Sequence, residues 1–119
     1  MALKMTQREV DGVTVLTLDG RIGLGEEANS LREKVKSLLG DGKQKLVLDM
    51  GHVTLIDSAG LGTLVGVHQS ATSRGASLGL CNLGAKLKEL LVITRLIVIF
   101  GDGVSNSEAE VVRSLSRGA

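Results

Sequence analysis

The sequence predicts a single α/β domain: a mixed, mostly parallel sheet with an N-terminal hairpin, covered by helices. Its length of 119 residues fits one hydrophobic core. The dipeptide Asp11-Gly12 between two strand-like runs indicates the opening hairpin. Beyond it, apolar runs of strand length alternate with segments of helical period, as in parallel strands joined by helical crossovers. The domain is expected to cover residues 1–119, with an ordered core over 3–115 and a flexible tail over 116–119.

The first half of the chain predicts a hairpin, a helix and a buried strand, in that order. Strands are expected over about residues 3–10 and 13–19, because both positions of the Asp11-Gly12 turn tolerate positive φ. Apolar residues at helical spacing then predict a helix that ends at Gly40, with Ala28, Leu31, Val35 and Leu38 on its inner face. The apolar run within 45–50 is typical of a strand buried on both faces.

The second half continues the alternation of helix and strand. A helix is expected over about 58–74, a strand over 76–83 and a short helix around Leu87. The apolar run 96–100 is expected to be the last strand. A final helix is expected after a capping box, formed by Ser105 or Ser107 with Glu108 or Glu110.

The composition argues against nucleic-acid, metal and redox functions. Phe100 is the one aromatic residue, so nucleic-acid bases have almost nothing on which to stack. The net charge is +1, and no Lys/Arg block is present to bind phosphates. Cys81 is the one cysteine, which excludes an internal disulfide, and His52 and His68 lack the spacing of metal ligands. We therefore expect no cofactor, no metal and no direct nucleic-acid partner.

Neither a targeting segment nor a membrane span is indicated. The first residues lack the apolar core of a signal peptide. The longest uncharged stretch, 58–73, is diluted by Gly, Ser, Thr, His and Gln, whereas a transmembrane helix needs about 20 mostly apolar residues. A cytoplasmic protein without membrane contact is the expectation.

The candidate site lies in 55–64, between a predicted strand and a predicted helix, where function gathers in α/β folds. Asp57 and Ser58 both suit the N-cap of that helix. Gly60 and Gly62 each disfavour a helix by about 0.8–1 kcal/mol relative to Ala, which predicts a close backbone approach or a tight helix start. Leu61 between them is expected to stand out from a thinly covered surface. A capped helix that needs glycines for packing would explain the same residues without any function.

A phosphate on Ser58 would act as a switch. It would add about −1.5 to −2 charges at the positive end of the helix, where free amides stabilise an anion. The domain would therefore stay folded. A partner packed against the same surface would face a repulsion of about 1 kcal/mol per pair of like charges in water, and several-fold more when desolvated. Binding would be lost while the fold is kept.

The segment Asp57-Ser58-Ala59-Gly60-Leu61-Gly62 resembles the phosphorylation-site motif of the STAS domain family, the anti-sigma factor antagonists (anti-anti-sigma factors). The likeness extends over nearly the whole chain, from 12–22 through 46–50 to 96–100. It implies helices packed largely on one face of the sheet. It also implies that the unphosphorylated protein binds a serine-kinase anti-sigma factor, frees a sigma factor for transcription, and is released when the kinase phosphorylates Ser58. A serine phosphatase would reset the cycle, and the chain itself would not be an enzyme.

The resemblance also implies a partner-binding surface around Ser58. Its expected members are Asp57, Ala59, Gly60, Leu61 and Gly62, together with Arg21, Gly23 and Leu24 from the loop after the second strand. That loop lacks the Asp that many family members carry there, which leaves the choice of partner open. Thr54 is either a second phosphorylation site, as in some stress-signalling relatives, or a plain loop threonine.

Three other functions compete with the switch. A serine hydrolase is disfavoured because Ser58 lacks a Gly-x-Ser-x-Gly elbow and His68 would lie about 15 Å away along the same helix. Nucleotide binding has no phosphate-loop motif, and Gly60-Leu61-Gly62 is too short for a dinucleotide fingerprint. The alternative within the same fold is a non-cycling STAS subunit of a stressosome-like or lipid-transport assembly. Whether the free protein is a monomer or a weak dimer stays open.

Overall fold

Strands and helices alternate along the chain after an opening hairpin. The computed structural model describes residues 3–23, 25–100, 104–105 and 107–117. The elements in chain order are β1 (Lys4–Val10), β2 (Val13–Ile22), α1 (Glu26–Gly40), β3 (Lys45–Ile56), α2 (Ser58–Ser73), β4 (Ser77–Cys81), α3 (Ala85–Ile93), α4 (Ile97–Phe100), β5 (Val104–Ser105) and α5 (Glu108–Arg117).

The strands form one mixed sheet in the order β1-β2-β3-β4-β5. Strand β1 is antiparallel to β2, and the remaining neighbours are parallel. The hairpin turns at Asp11 and Gly12, whose φ angles of 50° and 80° are both positive, as the dipeptide predicts. The predicted fold class, a mixed and mostly parallel sheet with an N-terminal hairpin, is confirmed.

Alternating side chains divide the core between the two faces of the sheet. One face carries Leu16, Leu18, Leu46 and Leu48, and it packs against apolar residues of α1, α2, α3 and α4. The other face carries Val13, Val15, Val47 and Cys81, and it packs against Val111 and Val112 of α5. Helices therefore cover largely one face, with α5 alone among the described helices on the other.

The predicted last strand, 96–100, is wrong. Residues 97–100 form the short helix α4, and the fifth strand is the two-residue β5, which pairs with Leu80 and Cys81. A short apolar run has no period that separates a strand from a helix. In α4 the side chain of Phe100 is buried while Val98 is 74% exposed, so the run never enters the sheet.

The chain ends in the predicted final helix. The hydroxyl of Ser107 accepts a hydrogen bond from the Glu110 amide at 3.3 Å, which is the N-terminal half of one of the predicted capping boxes. Helix α5 continues through Arg117, so its backbone includes the first two residues of the predicted flexible tail. Residues 118–119 lie outside the described part of the chain.

Candidate functional site

The candidate site begins where β3 ends and α2 starts. Asp57 is the N-cap of α2, with extended backbone angles, and its Oδ1 accepts a hydrogen bond from the Gly60 amide at 2.8 Å. The carbonyl of Asp57 accepts the amide of Leu61 at 2.9 Å, which closes the first helical turn. The capping role predicted for this region therefore falls to Asp57, and Ser58 becomes the first residue of the helix.

Ser58 is exposed, and within the described residues no side chain or backbone group hydrogen-bonds to its hydroxyl. As the first helical residue it stands beside amides that have no acceptor within the helix. These amides and the helix dipole favour a negative charge at this end. The hydroxyl is thus accessible, and its surroundings can stabilise an anion.

Gly60 is required by a close backbone approach, as its position in the motif predicts. A Cβ built on Gly60 would lie 2.1 Å from the carbonyl oxygen of Ile22 and 2.7 Å from Cγ1 of Ile56. Any larger residue would push α2 away from the ends of β2 and β3. Gly60 therefore sets how closely the site approaches the sheet.

For Gly62 the prediction of a close approach within the molecule is wrong. Gly62 is exposed, and a Cβ built on it would meet nothing within 4 Å. It lies on the solvent side of α2.

The expected exposure of Leu61 is also wrong. Leu61 is 8% exposed and belongs to the core cluster, because it lies on the same helical face as Leu64. The exposed apolar side chain next to the site is Leu55, at 56%. Leu55 and Ile56 are consecutive in β3, so their side chains point to opposite faces, and of the two only Ile56 packs against the core cluster.

The loop after β2 lies against the start of α2. A Cβ built on Gly23 would be 3.1 Å from Oδ2 of Asp57, so the loop backbone reaches the capping carboxylate. In the parallel register Arg21 pairs with Leu55 and Ile22 with Ile56. A cavity of about 170 Å³ lies at this point. It is lined by Arg21 and Ile22 of β2, by Gly23, and by Leu55 and Asp57.

The structure therefore brings together most of the residues predicted for the site. Arg21, Gly23, Asp57 and Ser58 share one end of the sheet, with Ala59 half-buried in the first turn of α2. Leu24 lies outside the described residues. Thr54 is exposed, but it belongs to β3 rather than to a loop.

A second polar cluster, which sequence reasoning missed, surrounds Asp49 on the sheet face that α5 covers. Asp49 accepts hydrogen bonds from Asn82 Nδ2 at 2.9 Å, from the Gly51 amide at 3.0 Å and from Thr17 Oγ1 at 3.2 Å. Arg8 approaches the same carboxylate at 3.8 Å. Burial raises the pKa of Asp49, but these hydrogen bonds and the Arg8 charge outweigh it, so the pKa is lowered overall.

The histidines do not provide a base for Ser58. The ring of His68 packs edge-on against Phe100, with ring centroids 4.8 Å apart, and burial lowers its pKa. His52 is exposed on β3, where it pairs in register with Asp19. No group of three or more His, Cys, Asp or Glu residues in the described ranges could hold a metal ion. Nor is any helix among those residues long and apolar enough to cross a membrane.

Fold and site together define a small α/β domain that presents an exposed serine at a helix start, beside a strand-exit loop. A family model for the STAS domain matches residues 4–111. The chain belongs to the STAS domain family, which confirms the resemblance seen in the motif around Ser58.

Two similar proteins are both described as anti-sigma factor antagonists. BtrV of Bordetella bronchiseptica, described as a proposed anti-sigma factor antagonist, is 28% identical over 98 residues, which cover 82% of this chain and 84% of BtrV. The crystal structure of TM1081 from Thermotoga maritima, described in the same terms, has a TM-score of 0.84 and 25% identity over 95% of each chain.

SpoIIAA of Bacillus, an anti-sigma factor antagonist, shares the fold. Its unphosphorylated form has a TM-score of 0.70 at 16% identity, covering 98% of this chain and 100% of SpoIIAA. Its phosphorylated form also has a TM-score of 0.70, at 15% identity, covering 93% of this chain and 98% of SpoIIAA. At this identity the likeness concerns the fold alone.

Proposed function

We propose that this protein is an anti-sigma factor antagonist switched by phosphorylation of Ser58. Unphosphorylated, it binds a serine-kinase anti-sigma factor and so frees a sigma factor for transcription. The kinase transfers phosphate to Ser58 and releases the protein, and a serine phosphatase restores it. The observation that carries the proposal is the Ser58 hydroxyl, which is exposed at the first position of α2 and has no hydrogen-bond partner among the described residues.

The fold can accept the phosphate. A negative group at a helix start is stabilised by about 0.3–1 kcal/mol when exposed. Ser58 lies outside the core, and the cap of α2 uses Asp57 rather than Ser58. Phosphorylation therefore leaves the hydrogen bonds that hold the helix start in place.

The partner surface cannot accept it as easily. Asp57 is exposed next to Ser58, so the modified site would carry a carboxylate and a phosphate side by side. Desolvating both against a partner costs several kcal/mol, and a loss of about 4 kcal/mol weakens a nanomolar complex to micromolar affinity. The switch acts on the interface and not on the fold.

The proposed interface differs from the sequence expectation at Gly60, Leu61 and Leu55. Arg21, Gly23, Leu24, Asp57 and Ala59 stay in it. The open surface at Gly62 lets a partner approach the backbone of α2. Leu61 and Gly60 support the surface from below, and Leu55 takes the role of the apolar contact.

Variants of one residue test the proposal. Binding to the candidate kinase from the same genome is measured by calorimetry for the wild type, Ser58→Ala and Ser58→Asp. The Ala variant should bind like the wild type, and the Asp variant at least about tenfold more weakly, since 1.4 kcal/mol is a factor of ten. Ser73→Asp, at an exposed serine near the far end of α2, is the matched control and should bind normally.

Phosphate mapping completes the test. Incubation with the kinase and ATP should add one phosphoryl group, which peptide mass mapping locates at Ser58 and which Ser58→Ala lacks. Equal kinase binding by Ser58→Ala and Ser58→Asp would contradict the switch and favour a non-cycling subunit of a larger assembly. If phosphate were found on Thr54 alone, the switched residue would be Thr54 of β3 and not Ser58.

A further inference from the structure

Part of β3 has an edge that no described strand covers. Strand β3 pairs with β2 as far as Ile56, but with β4 only as far as Asp49. Beyond that point β4 ends at Cys81 and the chain turns away toward α3. Over residues 50–56 the edge of β3 that faces away from β2 thus has no strand partner in the described part of the chain. Alternate residues of this segment present backbone N–H and C=O groups to that edge.

An apolar groove lies along this edge. Its volume is about 280 Å³, and β3 forms one wall while α3 forms the other. The β3 wall includes Met50, Val53, Leu55 and Ile56, and the α3 wall includes Leu87 and Leu90. A dry cavity of about 150 Å³ holds a benzene ring, so this groove has room for about two large apolar side chains.

The two features specify the chemistry of the occupant. An unpaired strand edge binds an extended backbone through main-chain hydrogen bonds, and adjacent apolar pockets take alternate side chains of the added strand. Residues of α3 line the other side of the groove, so an added strand would lie between β3 and α3. Lys86 and Thr54 supply polar groups in the lining, and the exposed Lys86 would attract a carboxylate.

We propose that this groove binds an extended, mainly apolar peptide segment with an acidic residue, contributed by a partner protein and added as a strand to the free edge of β3. The segment would fill the groove with alternate side chains and pair its acidic residue with Lys86. Leu55 lines both this groove and the cavity beside Asp57, so the same partner could continue onto the surface around Ser58. The inference goes beyond the proposed function and holds without it.

A peptide selection tests the proposal. A display library of random twelve-residue linear peptides is panned against the full chain, and the enriched peptide is titrated into isotope-labelled protein. Hydrogen exchange of edge amides within 53–56 should slow at least about tenfold in the complex, because main-chain hydrogen bonds form there. Resonances of Leu87 and Leu90 should shift as well.

Backbone methylation of the peptide gives a matched control. Two versions of the same peptide are N-methylated at alternate positions, one on odd and one on even residues. An added strand uses the donors on one side only, so one version should lose at least about tenfold in affinity and the other should keep it. Equal binding by both versions would overturn strand addition and indicate recognition by side chains alone.

Two variants of the protein locate the site. Leu55→Asp should weaken peptide binding at least about tenfold, since it places a charge in the groove. Ile93→Asp, at a side chain that is 68% exposed and outside the groove, should leave the affinity unchanged. Equal affinities for Leu55→Asp and the wild type, or a selection that yields no peptide protecting 53–56, would overturn the proposal.

These outcomes are separable from those of the switch. The peptide experiment uses neither kinase nor phosphate, so its failure leaves the comparison of Ser58→Ala with Ser58→Asp untouched. Failure of the Ser58 test, in turn, leaves protection of the β3 edge as an independent result.

Discussion

Asp49 lies within β3, and Asp57 follows the end of β3 as the N-cap of α2. The two aspartates differ in burial and in hydrogen bonding. Asp49 is 8% exposed and accepts hydrogen bonds from three neighbours, with Arg8 close by. Asp57 is exposed and uses one oxygen to cap the helix, while its other oxygen faces Gly23. The hydroxyl of its neighbour Ser58 has no hydrogen-bond partner among the described residues.

The difference separates polar residues that hold the fold from those available to a partner. In the described part of the chain no buried side-chain nitrogen or oxygen lacks a hydrogen bond, which is what a stable interior requires. A polar side chain without a hydrogen-bond partner in the described part of the chain is therefore found at the surface. At the start of α2 such a group coincides with a helix terminus that favours anions, and the proposed switch rests on this coincidence.

The largest effect is expected from the glycines of the motif. Gly60→Ala should lower the free energy of unfolding by about 3 kcal/mol or more, because its Cβ would overlap the Ile22 carbonyl and α2 must shift. Gly62→Ala, two residues away in open space, should raise it by up to about 1 kcal/mol through helix propensity. Urea unfolding of both variants measures the contrast, and effects of the same sign would contradict it.

The next largest difference in stability is expected between the alanine variants of the two aspartates. Asp49→Ala should destabilise the fold by about 2–4 kcal/mol, since Asn82, Thr17 and the Gly51 amide lose a shared acceptor. Asp57→Ala removes a single capping hydrogen bond and should lower stability by about 1 kcal/mol. If denaturant unfolding gave equal losses, the assignment of Asp49 to the fold and Asp57 to the site would be wrong.

The pH dependence of the free energy of unfolding tests the structural role of Asp49. The pKa of Asp49 is lowered in the folded protein, so its contribution is fully present above the unfolded value of about 3.9. The contribution is lost as the pH falls through the lower folded value. The wild type should therefore lose stability more steeply than Asp49→Asn below about pH 4. Urea midpoints between pH 6 and pH 3 test this, and parallel curves would contradict it.

The smallest effect is expected at the rim of the Asp49 cluster. Arg8 contacts Glu108 of α5 through two hydrogen bonds, at 2.6 and 3.2 Å. Its side chain is 43% exposed, so Arg8→Ala should lower stability by no more than about 1 kcal/mol. Lys43→Ala, which removes a looser contact of 3.6 Å to Glu9, is the control with an effect near zero. Thermal unfolding at low and high salt separates the two.

Several features were predictable because they depend on a few neighbouring residues. The positive φ angles at Asp11 and Gly12 follow from residue types that tolerate them. The cap formed by Asp57 follows from a carboxylate three residues before the Gly60 amide. The alternation of apolar runs with helical segments likewise placed Ser58 at the junction of strand and helix.

Other features were not predictable because they depend on contacts distant in sequence. Leu61 and Leu55 are both leucines within the same ten residues, yet one is buried and the other is 56% exposed, according to which element packs on each. The run 96–100 has the composition of a strand, but the position beside β4 is taken by β5. Whether a segment forms a strand depends on the pleated surface against which it packs as well as on its own residues.

The sequence by itself determined the fold class, the hairpin turn and the location of Ser58 at a helix start, since these follow from composition, period and local hydrogen bonding. Only the tertiary structure decided that Gly60 is required and Gly62 is not, that Leu55 is the apolar side chain beside the site, and that β3 keeps a free edge along α3. These features depend on which surfaces meet after the sheet has formed, and residues far apart in the chain set that arrangement.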